Sequence, residues 1–299
     1  GHYLCAVDTY RCNLTARAAT DGMLLEVEQV AGIEAIDREH LAEATTKDDN
    51  TLRSEHHLET AASFHRLWNP ATGELVALVP WAVKLRDLRR SGDSAVVDVT
   101  LRQWDKVAGS WQEQRQTRRV ILPHDASGDA WLTGRIVVPT APTASSWSIV
   151  ATQESSHTGR AWSDRVDPLT ALDGLELSDL IAGDPAQGQA WQPAGGDRIP
   201  ATALGSFRRS TPLTLSWQTR SRAALDSVTT VITLYRIDPR GDDTQKLEVR
   251  FDSRLESGLH LFQRDLGVDR LENGPYRLAL TLRLRDGRSL QRSTRINIE

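Results

Sequence analysis

The sequence predicts an all-β fold, two antiparallel β-sandwiches in tandem preceded by a short, partly helical segment. Three observations lead there. The chain has 299 residues, beyond the length at which one hydrophobic core usually stops growing, so two cores are expected. From Ala62 onward apolar and polar residues alternate with a period of two, the signature of half-buried strands. These runs recur at short, even intervals and are separated by clusters of Gly, Pro, Asn, Asp and Ser, the pattern of a sandwich or barrel. The expected units are an N-terminal segment over 1–60, a first sandwich over 61–167 and a second over 175–299.

The N-terminal segment differs from the rest. Between Glu26 and Ala44, the apolar residues Val27, Val30, Ile33, Ile36 and Leu41 recur mostly at three-residue steps with charged residues between them. That spacing predicts a short amphipathic helix, and the polar stretch TTKDDN (45–50) predicts a loop after it. Cys5 and Cys12 are the only two cysteines. Their spacing in YLCAVDTYRC suits a disulfide across a tight loop, which would place the chain in an oxidising, extracytoplasmic compartment. Two free thiols are the alternative, and a metal site is disfavoured because two ligands do not complete a zinc sphere.

The first sandwich is expected from seven runs: ASFHRLW (62–68), ELVALVPWAV (74–83), AVVDVTLRQW (95–104), QEQRQTRRVIL (112–122), AWLTGRIVV (130–138), SWSIVAT (146–152) and RAWSDRV (160–166). In the third, Val97, Val99 and Leu101 alternate with Asp98, Thr100 and Arg102, giving one buried and one wet face. The stretch PLTALDG (168–174) carries a proline and a glycine without a strand pattern and marks the boundary. Seven further runs follow, from LELSDLI (175–181) to SLQRSTRINI (289–298), with a long Gly, Pro and Ala-rich connection over 182–205 anchored only by Trp191, Ile199 and Leu204. Near the end, Leu278, Leu280, Leu282 and Leu284 share one strand face, and Asp286-Gly287 is a strong hairpin signal. Tyr276, just after Gly274 at a strand start, matches the tyrosine corner of immunoglobulin-like sandwiches, so both sandwiches are expected to be immunoglobulin-like.

The segment LELSDLIAG (175–183), the strand PLTLSWQT (212–219) and the close RLENGPYRLAL (270–280) resemble the C-terminal β-sandwich region of bacterial GWxTD-domain proteins, and the stretch from Phe64 to Arg165 resembles the sandwich before it. The GWxTD motif itself is absent. The resemblance implies a bacterial source, export to the cell envelope and no catalytic residues to carry over.

Composition removes several function classes. Net charge is −4 with both signs interspersed, so no broad positive surface is available for nucleic acid. No apolar run approaches the roughly 18 to 20 residues that span a bilayer. The sequence lacks a G-x-S-x-G nucleophile turn and the glycine-rich phosphate loops. SEHHLETAASFH, with Glu55, His56, His57, Glu59 and His65, approaches the H-x-x-E-H zinc motif, but Thr60 stands where the second histidine is needed. The pairs Asp125/Asp129 and Asp242/Asp243 suit turn formation better than carboxylate catalysis, and Asp48, Asp49 and Asn50 lack the alternating spacing of a calcium loop. No enzyme chemistry and no cofactor are expected.

Tryptophan is the remaining signal. Seven of nine, Trp68, Trp81, Trp104, Trp111, Trp131, Trp147 and Trp162, fall in the first sandwich. They either fill its core or, where exposed on one face, form an aromatic platform for sugar rings. The expected function is a non-catalytic interaction module of an exported protein that holds a protein partner through sandwich faces or loops. The alternatives are a carbohydrate-binding module using these tryptophans and an accessory region of an enzyme whose catalytic domain lies upstream.

Overall fold

The computed structural model describes residues 58–89, 93–105, 109–121, 130–153, 158–187, 190–238 and 243–299. The helix expected over 26–44, both cysteines, and Glu55, His56 and His57 lie outside them. Among the described residues the chain is built from strands, with single 3-10 turns at Leu85–Asp87 and Pro185–Gln187. The all-β sandwich class expected from the sequence is what forms.

The first sandwich contains β1 (Thr60–Ala62), β2 (His65–Trp68), β3 (Leu75–Lys84), β4 (Ser94–Asp105), β5 (Ser110–Ile121), β6 (Trp131–Pro139), β7 (Ser145–Gln153) and β8 (Thr158–Val166). One sheet has β1 and β2 end to end along one edge of β3 and β6 along the other. The second sheet runs β5-β4-β7-β8. Between them lies a core of Val79, Trp81 and Val83 from β3, Val97, Val99 and Leu101 from β4, and Trp147 and Ile149 from β7. The alternation read in β4 therefore gives the buried face expected of it.

β3 does not alternate, and the structure explains why. Its odd positions enter the sandwich core, while Val76 and Leu78 on the opposite face join a separate cluster with Leu67, Ile181, Trp191, Ile199 and Ala201. A strand covered on both faces reads as a continuous apolar run. Pro80 is tolerated inside it because it sits where β1 gives way to β2. Its carbonyl accepts from Ser63 N–H at 3.2 Å on that side, so the missing donor costs no ladder bond.

The second sandwich contains β9 (Ala171–Leu172), β10 (Leu175–Leu177), β11 (Ile181–Gly183), β12 (Ala190–Trp191), β13 (Ile199–Pro200), β14 (Ser206–Phe207), β15 (Leu213–Ser221), β16 (Leu225–Arg236), β17 (Thr244–Leu255), β18 (Gly258–Leu266), β19 (Gly274–Leu284) and β20 (Ser289–Ile298). Its layout repeats the first: β10 and β11 share one edge of β15, β18 takes the other, and β17-β16-β19-β20 form the facing sheet. β14 adds a short parallel pairing to β20. The two sets of strands therefore share one order of pairing although no residue repeat is visible. Tyr276 is fully buried, and its hydroxyl donates to the Glu272 carbonyl at 2.9 Å. Trp147 occupies the corresponding third position of β7.

Two expectations need correction here. LELSDLI is not one strand, because Ser178–Leu180 leave the ladder between β10 and β11 to aim Asp179 at Arg66. PLTALDG is not strandless either. Asp173 and Gly174 both have positive φ, 52° and 82°, and form a two-residue hairpin turn that pairs β9 with β10, the conformation that Asp-Gly favours. The connection after β11 is packed, with Trp191, Ile199, Ala201 and Ala203 buried. Gly183, the last residue of β11, lets this connection pack closely, since a Cβ there would lie 2.3 Å from the Pro200 carbonyl oxygen.

The sandwiches meet through the outer faces of the β3 and β15 sheets. Besides the apolar cluster, the seam is polar. Arg66, 2% exposed, donates to Asp179 from its backbone at 2.9 Å, from Nε at 2.8 Å and from Nη2 at 3.1 Å. It also reaches the carbonyls of Thr143 and Asp167. The Gln218 side chain accepts from Trp68 N–H at 2.6 Å and donates to the Trp68 carbonyl at 2.9 Å, copying a strand pairing across the seam.

His65 makes this seam sensitive to acid. Burial pushes its pKa down to about 4, against the pull of the nearby Asp179 carboxylate and the Leu180 backbone, and its Nε2 lies 2.9 Å from the Ser63 hydroxyl. The folded imidazole stays neutral while the unfolded one takes a proton below about pH 6.5. Between those values the unfolded state binds more protons, so stability rises with pH. Stability is expected to be full above pH 6.5 and to fall by about 3 kcal/mol by pH 4, after which this contribution stops changing. Urea unfolding at pH 7.0, 5.5 and 4.5 checks it, and His65→Phe should flatten the dependence.

Candidate ligand-binding groove

The outer face of the β5-β4-β7-β8 sheet is set by the parity that builds the core. Odd residues of β4 point inward, so Asp98, Thr100, Arg102 and Trp104 point outward. Register then places Trp111 opposite Trp104, Glu113 opposite Arg102 and Arg115 opposite Thr100. On the other side, Arg102 faces Ser148, which faces Ser163, while Ser146 faces Arg165. Glu113, Arg102, Ser148 and Ser163 thus form one row across four strands, with Trp111, Trp104, Ser146 and Arg165 beside it. Neighbouring rows on one face are about 7 Å apart.

These rows form a trough of about 810 Å³. Its floor is Ser146, Ser148, Ala161 and Ser163, and its walls are Trp111 with the Arg102–Glu113 pair on one side and Arg165 on the other. Small floor residues keep it open. Trp104 is 36% exposed and Trp111 48%, and their rings meet at 5.6 Å and 69°, a perpendicular packing that restrains both side chains. Arg102 Nε lies 2.8 Å from Glu113 Oε1. Further along, Arg115 donates to Asp98 at 2.6 Å and the Thr117 hydroxyl donates to its other oxygen. Burial opposes ionisation of Asp98, but these bonds outweigh it and hold the carboxyl below its ordinary pKa.

The seven tryptophans are therefore not one surface. Trp68, Trp81 and Trp147 are core residues, 2%, 1% and 3% exposed, because each stands at an inward or seam-facing position. This corrects their place in an aromatic platform. Trp162 is half-buried against the first core, and Trp131 is half-buried with the Lys84 ammonium 4.5 Å from its ring centre. Only Trp104 and Trp111 share an exposed patch. Sequence reasoning did not pick out Ser146, Ser148, Ser163 or Arg165, since nothing marks a serine in a short strand as a groove floor. The parity of β4 does carry Trp104 to the wet face.

Other candidate chemistry is absorbed by structure. Glu59 pairs with Arg86 at 2.9 Å, His65 is buried in the seam, and Asp243 is held by Arg277 at 2.8 Å. Asp125, Asp129 and Asp242 lie outside the described residues. Among the described residues no three His, Cys, Asp or Glu side chains gather to hold a metal ion, and no helix is long and apolar enough to cross a membrane.

No family model matches the chain, and no curated protein matches it. A solved structure with some likeness is the C-terminal domain of Wzt, 15% identical, covering 44% of this chain and 76% of that one at a TM-score of 0.32. An overlap that loose transfers no function.

Proposed function

We propose that this chain is a glycan-binding module whose ligand lies across the outer face of β5-β4-β7-β8. The observation that carries the reading is the exposed Trp104–Trp111 pair beside a trough of serine hydroxyls and an accessible ion pair. Indole faces stack on the apolar faces of sugar rings, and hydroxyl, guanidinium and carboxylate groups match sugar hydroxyls. The trough is open, which suits the interior of a polysaccharide chain. Export to the envelope, implied by the GWxTD resemblance, would set the module among such polymers.

This reading displaces a protein partner as the preferred one. Among the described residues the exposed large apolar side chains besides these tryptophans are Ile121 and Val137. Ile121 ends β5 and Val137 lies on β6, so neither extends the tryptophan patch at the start of β5 into the larger apolar surface that marks protein interfaces.

The test is a glycan array of bacterial envelope and plant polysaccharides, probed with the intact chain and with Trp111→Ala. Binding to at least one polymer is expected, with affinity reduced about tenfold or more in the variant, as loss of an aromatic stacking contact implies. An array without signal would sink the proposal.

A further inference from the structure

A second site lies at the mouth of the first sandwich, where β5 and β6, each an edge strand of its own sheet, come together. The pocket there measures about 520 Å³. Its floor is Leu78 and Pro80 of β3 with Ala190 and Ala201 of the connection between the sandwiches, and its rim carries Arg118, Arg119 and Arg135.

The pocket is lined by donors without a carboxylate. Gln116 turns its Oε1 to accept from Trp81 Nε1 at 3.2 Å, which leaves its NH2 as the donor end, and Thr133 adds a hydroxyl. Elsewhere in this sheet, Arg102 of β4 and Arg115 of β5 are neutralised by Glu113 and Asp98. Arg118, Arg119 and Arg135 make no such pair among the described residues, in a chain whose net charge is −4. Three like charges around one concavity repel each other, and planar guanidinium forks match tetrahedral oxyanions in a bidentate fashion. Gly134 adds access, since a side chain there would collide with the Trp81 ring and the strand presents bare backbone instead.

We infer that this pocket binds a multiply charged oxyanion, a phosphate or sulfate group, through Arg118, Arg119 and Arg135. The site is separate from the tryptophan groove, which lies at the other end of β5, and does not depend on the glycan reading.

Isothermal titration of the intact chain at constant ionic strength, with pyrophosphate, inorganic sulfate and a sulfated oligosaccharide in separate arms, tests it. Saturable binding of at least one probe is expected. The Arg118→Gln/Arg135→Gln double variant should weaken it about tenfold or more, and Arg283→Gln, an exposed arginine on the second sandwich, should not. Equal affinity for the free ions and the sulfated sugar would identify a free-ion site. Tighter binding of the sugar would identify a group carried on a larger ligand. Absence of saturable binding in every arm, or unchanged affinity in the double variant, overturns the inference. All three arginines are exposed, so the variants retain the fold, which a far-ultraviolet spectrum verifies.

Discussion

Asp179→Ala is expected to lower stability by about 3 to 5 kcal/mol, the usual cost of removing one partner of a buried ion pair. Arg66 is almost wholly covered at the seam, and Asp179 neutralises it through two hydrogen bonds from the guanidinium, with a third from the Arg66 backbone N–H. Without that carboxylate the guanidinium keeps only the carbonyls of Thr143 and Asp167, which do not cancel its charge. The loss should appear in guanidinium unfolding as a lower midpoint. Replacing both partners by apolar residues of similar size, Arg66→Met with Asp179→Leu, should recover part of it, because the Arg66 charge is then no longer stranded, while Arg292, whose Nε lies 3.8 Å from Asp179, still loses that carboxylate. A double variant as unstable as the single one would show that the seam depends on something other than this pair.

Trp81→Ala is expected to cost about 3 to 5 kcal/mol. The indole is 1% exposed at the centre of the first core, pressed so closely against Gly134 that a Cβ there would lie 2.3 Å from its ring. Its removal leaves a cavity between two sheets whose backbones are fixed by ladders on both sides, so collapse into the space is limited. Trp111→Ala, at the surface of the same sandwich, should cost no more than about 1.5 kcal/mol, the loss of its edge-to-face contact with Trp104. The contrast matters for function, because a Trp111 variant that fails to bind cannot then be dismissed as unfolded. Thermal unfolding of the two variants side by side separates the cases.

What the sequence made legible was whatever rested on period. Val97, Val99 and Leu101 announced a half-buried strand and formed one, and Tyr276 after Gly274 announced a corner whose hydrogen bond is present. The Arg285-Asp286-Gly287 turn closes with Gly287 at φ 87° and a Leu284–Arg288 pairing at 2.8 Å, as a three-residue hairpin loop should. Features set by long-range contact were not legible. The apolar run of β3 looks the same whether its second face meets solvent-side loops or another sheet, and Asp179 looks like any acidic turn residue until Arg66, 113 positions away, is seen beside it. The groove falls between these extremes. Trp104 could be assigned to the wet face by counting from Val97, but its partner Trp111 required the β4–β5 register, and the serine floor required two more.

That count also explains why seven tryptophans gave an ambiguous signal. An indole fills a core or makes a platform according to one step of strand parity, and a shift of one residue exchanges the two. Here parity sends Trp81 and Trp147 inward and Trp104 and Trp111 outward.

The most direct measurement is intrinsic tryptophan fluorescence during titration with the polysaccharide that gives the strongest array signal. Trp104 and Trp111 are the most exposed indoles among the described residues, so ligand stacking should shift emission to the blue and saturate, and the Trp104→Phe/Trp111→Phe variant should lose the shift. A ligand that binds the parent without any spectral change, or that shifts the double variant equally, would contradict the placement of the binding surface on this face.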